Sequence, residues 1–126
     1  MKFLHTRFKV RDLERAIAFY TTHLGFEVRT RHTSGRGSQL AHLRLPGSDT
    51  ELELAYLPWD PDFQLAEDIL HIAFEVDSVV ETVERMRAAG VKITEEPHGG
   101  TRGHMAFIED PDGYEIELLD DVPALT

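Results

Sequence analysis

The chain is written twice. His5-Thr6-Arg7-Phe8-Lys9-Val10 finds a second copy in His71-Ile72-Ala73-Phe74-Glu75-Val76, and each copy leads through an aspartate into an amphipathic stretch. The first stretch repeats apolar residues at Leu13, Ala16, Ile17, Tyr20 and Leu24, and the second at Val79, Val80, Val83 and Met86. Spacings of three and four residues predict helices with one buried stripe. Asp12 and Asp77 suit the N-caps, Ser78 with Glu81 has capping-box spacing, and Gly25 and Gly90 suit the C-terminal stops. The copies stay in step downstream, where Glu51-Leu52-Glu53-Leu54 matches Glu115-Ile116-Glu117-Leu118. His5 to Glu53 spans 48 residues and His71 to Glu117 spans 46. An internal repeat of this kind dictates architecture before any single motif does.

Each copy reads strand–helix–strand–strand–strand. Strands are predicted over 3–10, 26–32, 38–45, 51–57, 69–76, 91–94, 104–109 and 114–119, with helices over 12–24 and 78–89. The expectation is an α+β fold of two tandem βαβββ modules. It is read as one domain over 1–126. Module 1 covers about 1–58, a turn-rich linker about 58–68, and module 2 about 69–120.

Strand alternation then sorts the side chains. Leu4, Thr6, Phe8 and Val10 share one face of the first strand, and Leu52, Leu54 and Tyr56 share one face of the fourth. The opposite faces carry His5 and Glu53 in module 1, and His71 and Glu117 in module 2. Taken singly, each of these is an ordinary solvated residue on the polar face of a sheet. Taken together, one His and one Glu recur at equivalent places in both copies. Two imidazoles and two carboxylates make a mixed nitrogen and oxygen donor set for a divalent metal, octahedral once two waters are added. The other histidines, His23, His32, His42, His98 and His104, have no symmetry mates and are set aside as non-ligands.

Composition removes whole classes of function. The chain has no cysteine, so disulfides and thiol nucleophiles are excluded. The net charge of −10 argues against a nucleic-acid partner. Residues 1–50 hold nine Lys/Arg against four Asp/Glu, while 51–126 hold four against nineteen, so cations for an anionic ligand would come from the first half. No apolar run suits a membrane span, and MKFLHTRFKV lacks a secretion-signal core, which makes the cytoplasm the expected location.

These residues resemble the vicinal-oxygen-chelate superfamily, and within it the glyoxalase I (lactoylglutathione lyase) family. The resemblance covers about residues 3–120 and implies that the two modules form a curved mixed sheet around a metal site. Its strongest stretch is Ala106-Phe107-Ile108-Glu109-Asp110-Pro111-Asp112-Gly113-Tyr114-Glu115-Ile116-Glu117-Leu118. His5-Thr6, Arg11-Asp12-Leu13, Phe19-Tyr20, Leu24-Gly25 and His71-Ile72-Ala73 also match. The resemblance implies His5, Glu53, His71 and Glu117 as metal ligands. It implies nickel or cobalt, with zinc as the alternative, and a homodimer with its sites at the interface. The implied reaction isomerises the methylglyoxal–glutathione hemithioacetal to S-lactoylglutathione by proton transfer through a metal-bound enediolate. Glu117 is the implied base, with Glu53 on the opposite side. Lys9 and Arg102 are the implied partners for the carboxylates of glutathione, the co-substrate, and Trp59 and Phe63 could wall the pocket. The stretch Phe63–Leu70 lacks the glycine common in the family before His71 and has no clear match to a glutathione-binding asparagine, so another thiol fits too. Two alternatives stay open. One is a different metalloenzyme of the superfamily, such as an epimerase or extradiol dioxygenase. The other is a metal-free, ligand-sequestering resistance protein.

Overall fold

The two amphipathic stretches form the two helices, and the apolar alternations form the strands. The computed structural model describes residues 1–100 and 103–123. It divides into two units, Met1–Gln64 and Leu65–Thr126, the boundary falling inside the expected linker. Unit 1 runs β1 (His5–Lys9), α1 (Leu13–His23), β2 (Glu27–Thr33), β3 (Gln39–Arg44), β4 (Glu51–Tyr56). Unit 2 runs β5 (His71–Glu75), α2 (Val79–Ala88), β6 (Lys92–Gly100), β7 (Gly103–Glu109), β8 (Glu115–Leu119). The expected curved mixed sheet is built as two four-stranded sheets, one per unit. Their orders are β1-β4-β3-β2 and β5-β8-β7-β6. In each, the first strand pairs parallel with the last and the other pairings are antiparallel.

In unit 1 the apolar faces of α1 and the sheet bury one another. Phe8, Ala16, Tyr20, Leu43 and Leu54 are fully buried. Tyr20 meets Phe8, Phe19 and Phe26 edge-on, with ring centroids 6.5, 5.1 and 5.8 Å away. Edge-to-face contacts suit the ring quadrupoles. Asp12 caps α1, accepting from the Arg15 amide at 3.0 Å. Gly25, just beyond the helix, takes φ +77°, the left-handed conformation that the stop requires.

Unit 2 departs from the expected details in three places. The N-cap of α2 is Ser78, which accepts from the Glu81 amide at 3.2 Å, and not Asp77. The capping-box spacing outweighs the bare aspartate. Val80 is exposed and Thr82 is buried in its stead, so the stripe is turned from the one drawn on hydrophobicity alone. Finally, β6 runs on to Gly100 instead of stopping at residue 94. It is the edge strand of its sheet, where irregular register and the missing N–H of Pro97 are tolerated.

Asp120 ties the unit together. Its Oδ2 accepts from the Val79 amide at 2.8 Å and its Oδ1 from the His104 amide at 2.6 Å. These two backbone bonds, Val79 first, hold the carboxyl below its ordinary 3.8 against the opposing effect of burial. The ionised form therefore belongs to the folded state. Its contribution is complete above the unfolded value and is lost as pH falls through the lower folded value. Asp120→Asn should lower the melting temperature at neutral pH, and the gap to the parent should close in acid. A gap that stays constant through the acid range would refute this role.

Candidate metal centre

Glu53 lies in the middle of β4 and is only 4% exposed, an uncommon place for a carboxylate. The sheet brings it partners from both sides. β1 lies parallel to β4 with Arg7 opposite Glu53, and β3 lies antiparallel with His42 opposite Glu53. Strand alternation adds His5, two residues before Arg7, to the same face. The Arg7 Nε donates to Glu53 Oε1. His42 Nε2 stands 2.7 Å from Glu53 Oε2, and His5 Nε2 stands 3.5 Å from the same oxygen. The His5 and His42 rings lie 5.4 Å apart. Both histidines also line a cleft of about 450 Å³ that includes Lys2, Arg29, Arg44 and Glu51.

Burial alone would raise the Glu53 carboxyl. Hydrogen bonds from Arg7 and His42, with the charges of Arg7 and His5, outweigh burial and hold it below the ordinary carboxylate range. Glu53 is thus a fixed anion, oriented through both oxygens.

Unit 2 repeats the arrangement with different neighbours. His71 Nε2 lies 3.6 Å from Glu117 Oε1. The register sets Ala73 and Phe107 opposite Glu117, where unit 1 has Arg7 and His42 opposite Glu53. His71 packs edge-on to Phe107, with centroids 5.3 Å apart.

Each expected ligand pair is therefore adjacent within its own unit. The structure also brings in two residues that the sequence reading left out. His42 had been set aside for want of a symmetry mate, yet its ligand atom and those of His5 and Glu53 all lie within 4.8 Å of one another. Arg7, part of the repeated His5–Val10 stretch, has no role in the sequence reading. A polar His42 among Leu40, Ala41 and Leu43 is the one local signal, and only the β3–β4 register sets it opposite Glu53. Imidazole nitrogens converging with a buried carboxylate oxygen are a donor set that fits a divalent cation.

The expected substrate contacts fare differently. Lys9 Nζ is engaged by the Asp60 carboxylate and lies 5.1 Å from the Phe63 ring, so it is not a free cation. Phe63 is buried beneath Arg11, whose guanidinium lies 4.2 Å over the ring, and reads as part of a local core. Trp59 is exposed and carries the Arg36 guanidinium 4.2 Å over its ring. Arg102 lies outside the described residues. His98 is occupied by Glu95 at 2.8 Å.

The Asp110–Gly113 turn that feeds β8 forms as its residues require. Asp110 Oδ1 accepts from the amides of Asp112 and Tyr114, both at 2.9 Å. Gly113 takes φ +100°. This turn sets the register that aims Glu117.

The family model for the Glyoxalase/Bleomycin resistance protein/Dioxygenase superfamily matches residues 2–118. The chain belongs to this superfamily. Among superfamily members, it is 40% identical to a lactoylglutathione lyase of Salmonella typhimurium over 126 residues, covering 95% of this chain and 93% of that one. Its fold matches the trypanothione-dependent glyoxalase I of Leishmania major with a TM-score of 0.82 at 37% identity, covering 96% of this chain and 87% of that one. It also matches TnmS3, an antibiotic-binding protein from Streptomyces, with a TM-score of 0.76 at 25% identity over 95% of each chain. Among the described residues, no helix is long and apolar enough to cross a membrane.

Proposed function

We propose that this chain is a metal-dependent lactoylglutathione lyase, a carbon–sulfur lyase of the glyoxalase I type. It isomerises the hemithioacetal of methylglyoxal and glutathione to S-lactoylglutathione. The observation that carries the reading is the 40% identity to lactoylglutathione lyases across nearly the whole of both chains. The adjacent His and Glu pairs of the two modules support it.

His5, Glu53, His71 and Glu117 are the assigned ligands, for nickel or cobalt with zinc as the alternative. When bound, the divalent metal supplies Lewis acidity beside the substrate's hydroxyl and carbonyl oxygens. Glu117 takes a proton from the carbon bearing the hydroxyl and returns it to the neighbouring carbon. The hydroxyl proton moves in the same sense, from the oxygen of the first carbon to the oxygen of the second, so the product is an isomer and nothing is oxidised overall. The neighbours of the two glutamates support this division of labour. Glu53, clamped by Arg7 and His42 and held below the usual carboxylate range, is a weak base. Glu117 faces Ala73 and Phe107 in place of that clamp. Arg102 and the face around Trp59 are assigned to the glutathione end. Lys9 would have to exchange Asp60 for a substrate carboxylate to join them.

The assembly in this reading is a cytoplasmic homodimer, one domain per chain, with each site drawing one module from each chain. Purified protein should convert the hemithioacetal in a spectrophotometric assay. No turnover with any added divalent metal would end the reading. A His5→Ala chain and a Glu117→Gln chain should each be inactive alone. Co-expressed, they should recover about a quarter of the parent activity, since about half the dimers are mixed and each mixed dimer holds one intact site. No recovery from demonstrated mixed dimers would refute the shared-site assembly.

A further inference from the structure

We infer that His42 is a metal ligand in this chain, completing with His5 and Glu53 a three-donor site contained within unit 1. The inference rests on the metal-site reading above, because His5 and Glu53 are ligands there. It adds a residue which that reading does not contain.

Three observations carry it. First, the three donor atoms converge on one point. His42 Nε2 and His5 Nε2 lie 2.7 and 3.5 Å from the same Glu53 oxygen, and all three lie within 4.8 Å of one another. Ligands about 2.0–2.2 Å from a common ion stand roughly 3 Å apart, so only small side-chain shifts separate this cluster from coordination. Second, the other Glu53 oxygen is engaged by Arg7, which turns Oε2 alone toward the imidazoles. Third, the arrangement is particular to one half of a repeated chain. At the equivalent register, unit 2 carries Phe107 for His42 and Ala73 for Arg7. An internal control for the same strand geometry without the third donor is thus built into the molecule.

The charges around the cluster set its strength. Glu53 is neutralised by Arg7, and the neighbouring Glu51 is held by Arg29. The local site alone therefore offers a dication little net negative charge. Glu117 would add charge in the complete centre. A local site of moderate affinity, strengthened by the second module, is the consequence.

Cobalt titration of the metal-stripped protein, read by calorimetry and by visible absorption, tests this apart from turnover. A His71→Ala/Glu117→Ala chain should still bind cobalt, about one ion per chain and more weakly than the parent. Adding His42→Phe, which copies the unit 2 residue, should remove that binding. In the otherwise unaltered chain, His42→Phe and His42→Gln should each weaken cobalt binding about tenfold or more and alter its absorption. His42→Gln can retain a hydrogen bond to Glu53, so it decides the matter if the Phe variant misfolds. Parent-like affinity and spectrum in His42→Gln would show a purely structural hydrogen bond and overturn the inference. So would a His71→Ala/Glu117→Ala chain that binds no cobalt. Turnover of the hemithioacetal by the parent is measured separately, so the failure of the lyase reading and the failure of the His42 assignment give different results.

Discussion

Replacing Glu117 by Gln should lower kcat about a thousandfold, within the usual span for loss of a general base. That corresponds to roughly 4 kcal/mol of transition-state stabilisation. The substitution keeps the side-chain shape and leaves His71 in place, but an amide cannot accept and return a proton. Glu117 is also an assigned ligand, so metal content must be measured in the same samples and turnover followed to saturating metal. A loss that vanishes when metal is saturating would make Glu117 a ligand only. Full turnover with metal retained would remove it from the mechanism. Glu53→Gln is the informative contrast. It leaves the Arg7 guanidinium facing a neutral amide in a part-buried place, so the loss should appear in stability and metal affinity as well as in kcat.

Removing divalent metal with a chelator should bring turnover down to the uncatalysed background, and adding nickel or cobalt should restore it, with zinc restoring less. The side chains alone offer no comparable acidification of a carbon-bound proton. The same experiment has a thermodynamic readout. A ligand at a hundred times its dissociation constant stabilises the folded state by about 2.7 kcal/mol, so the melting temperature should rise as metal returns. Turnover that survives below the detection limit for metal would overturn the metal-dependent reading. Stabilisation by metal without turnover would leave the site standing and move the chemistry to another thiol or another reaction of the superfamily.

Much of this protein is legible in its sequence because the information is local. The helices α1 and α2, the stops at Gly25 and Gly90, and the turn at Asp110–Gly113 each depend on residues within a few positions of one another. The repeat multiplies that information. His5 with Glu53 and His71 with Glu117 could be matched as pairs across the copies before any coordinates, and the structure places each pair in contact across a parallel strand pairing. Where two local signals competed, as Asp77 and Ser78 did for the cap of α2, hydrogen-bond geometry chose between them.

Symmetry, the strongest guide, also hid something. It set His42 aside because module 2 has no matching histidine. What the sequence by itself determined was the twofold βαβββ plan, the two amphipathic helices and the His–Glu pairs that recur in both copies. These follow from side-chain periodicity and from residue types that the chain carries twice. What only the tertiary structure decided was the company that Glu53 keeps. A carboxylate's partners on a sheet come from strands on either side of it, and their register is set by pairings between residues 11 and 46 positions apart. No local pattern encodes such a register. It emerges when the β3–β4 hairpin and the parallel β1–β4 pairing form together, and it makes two otherwise similar His–Glu pairs chemically different.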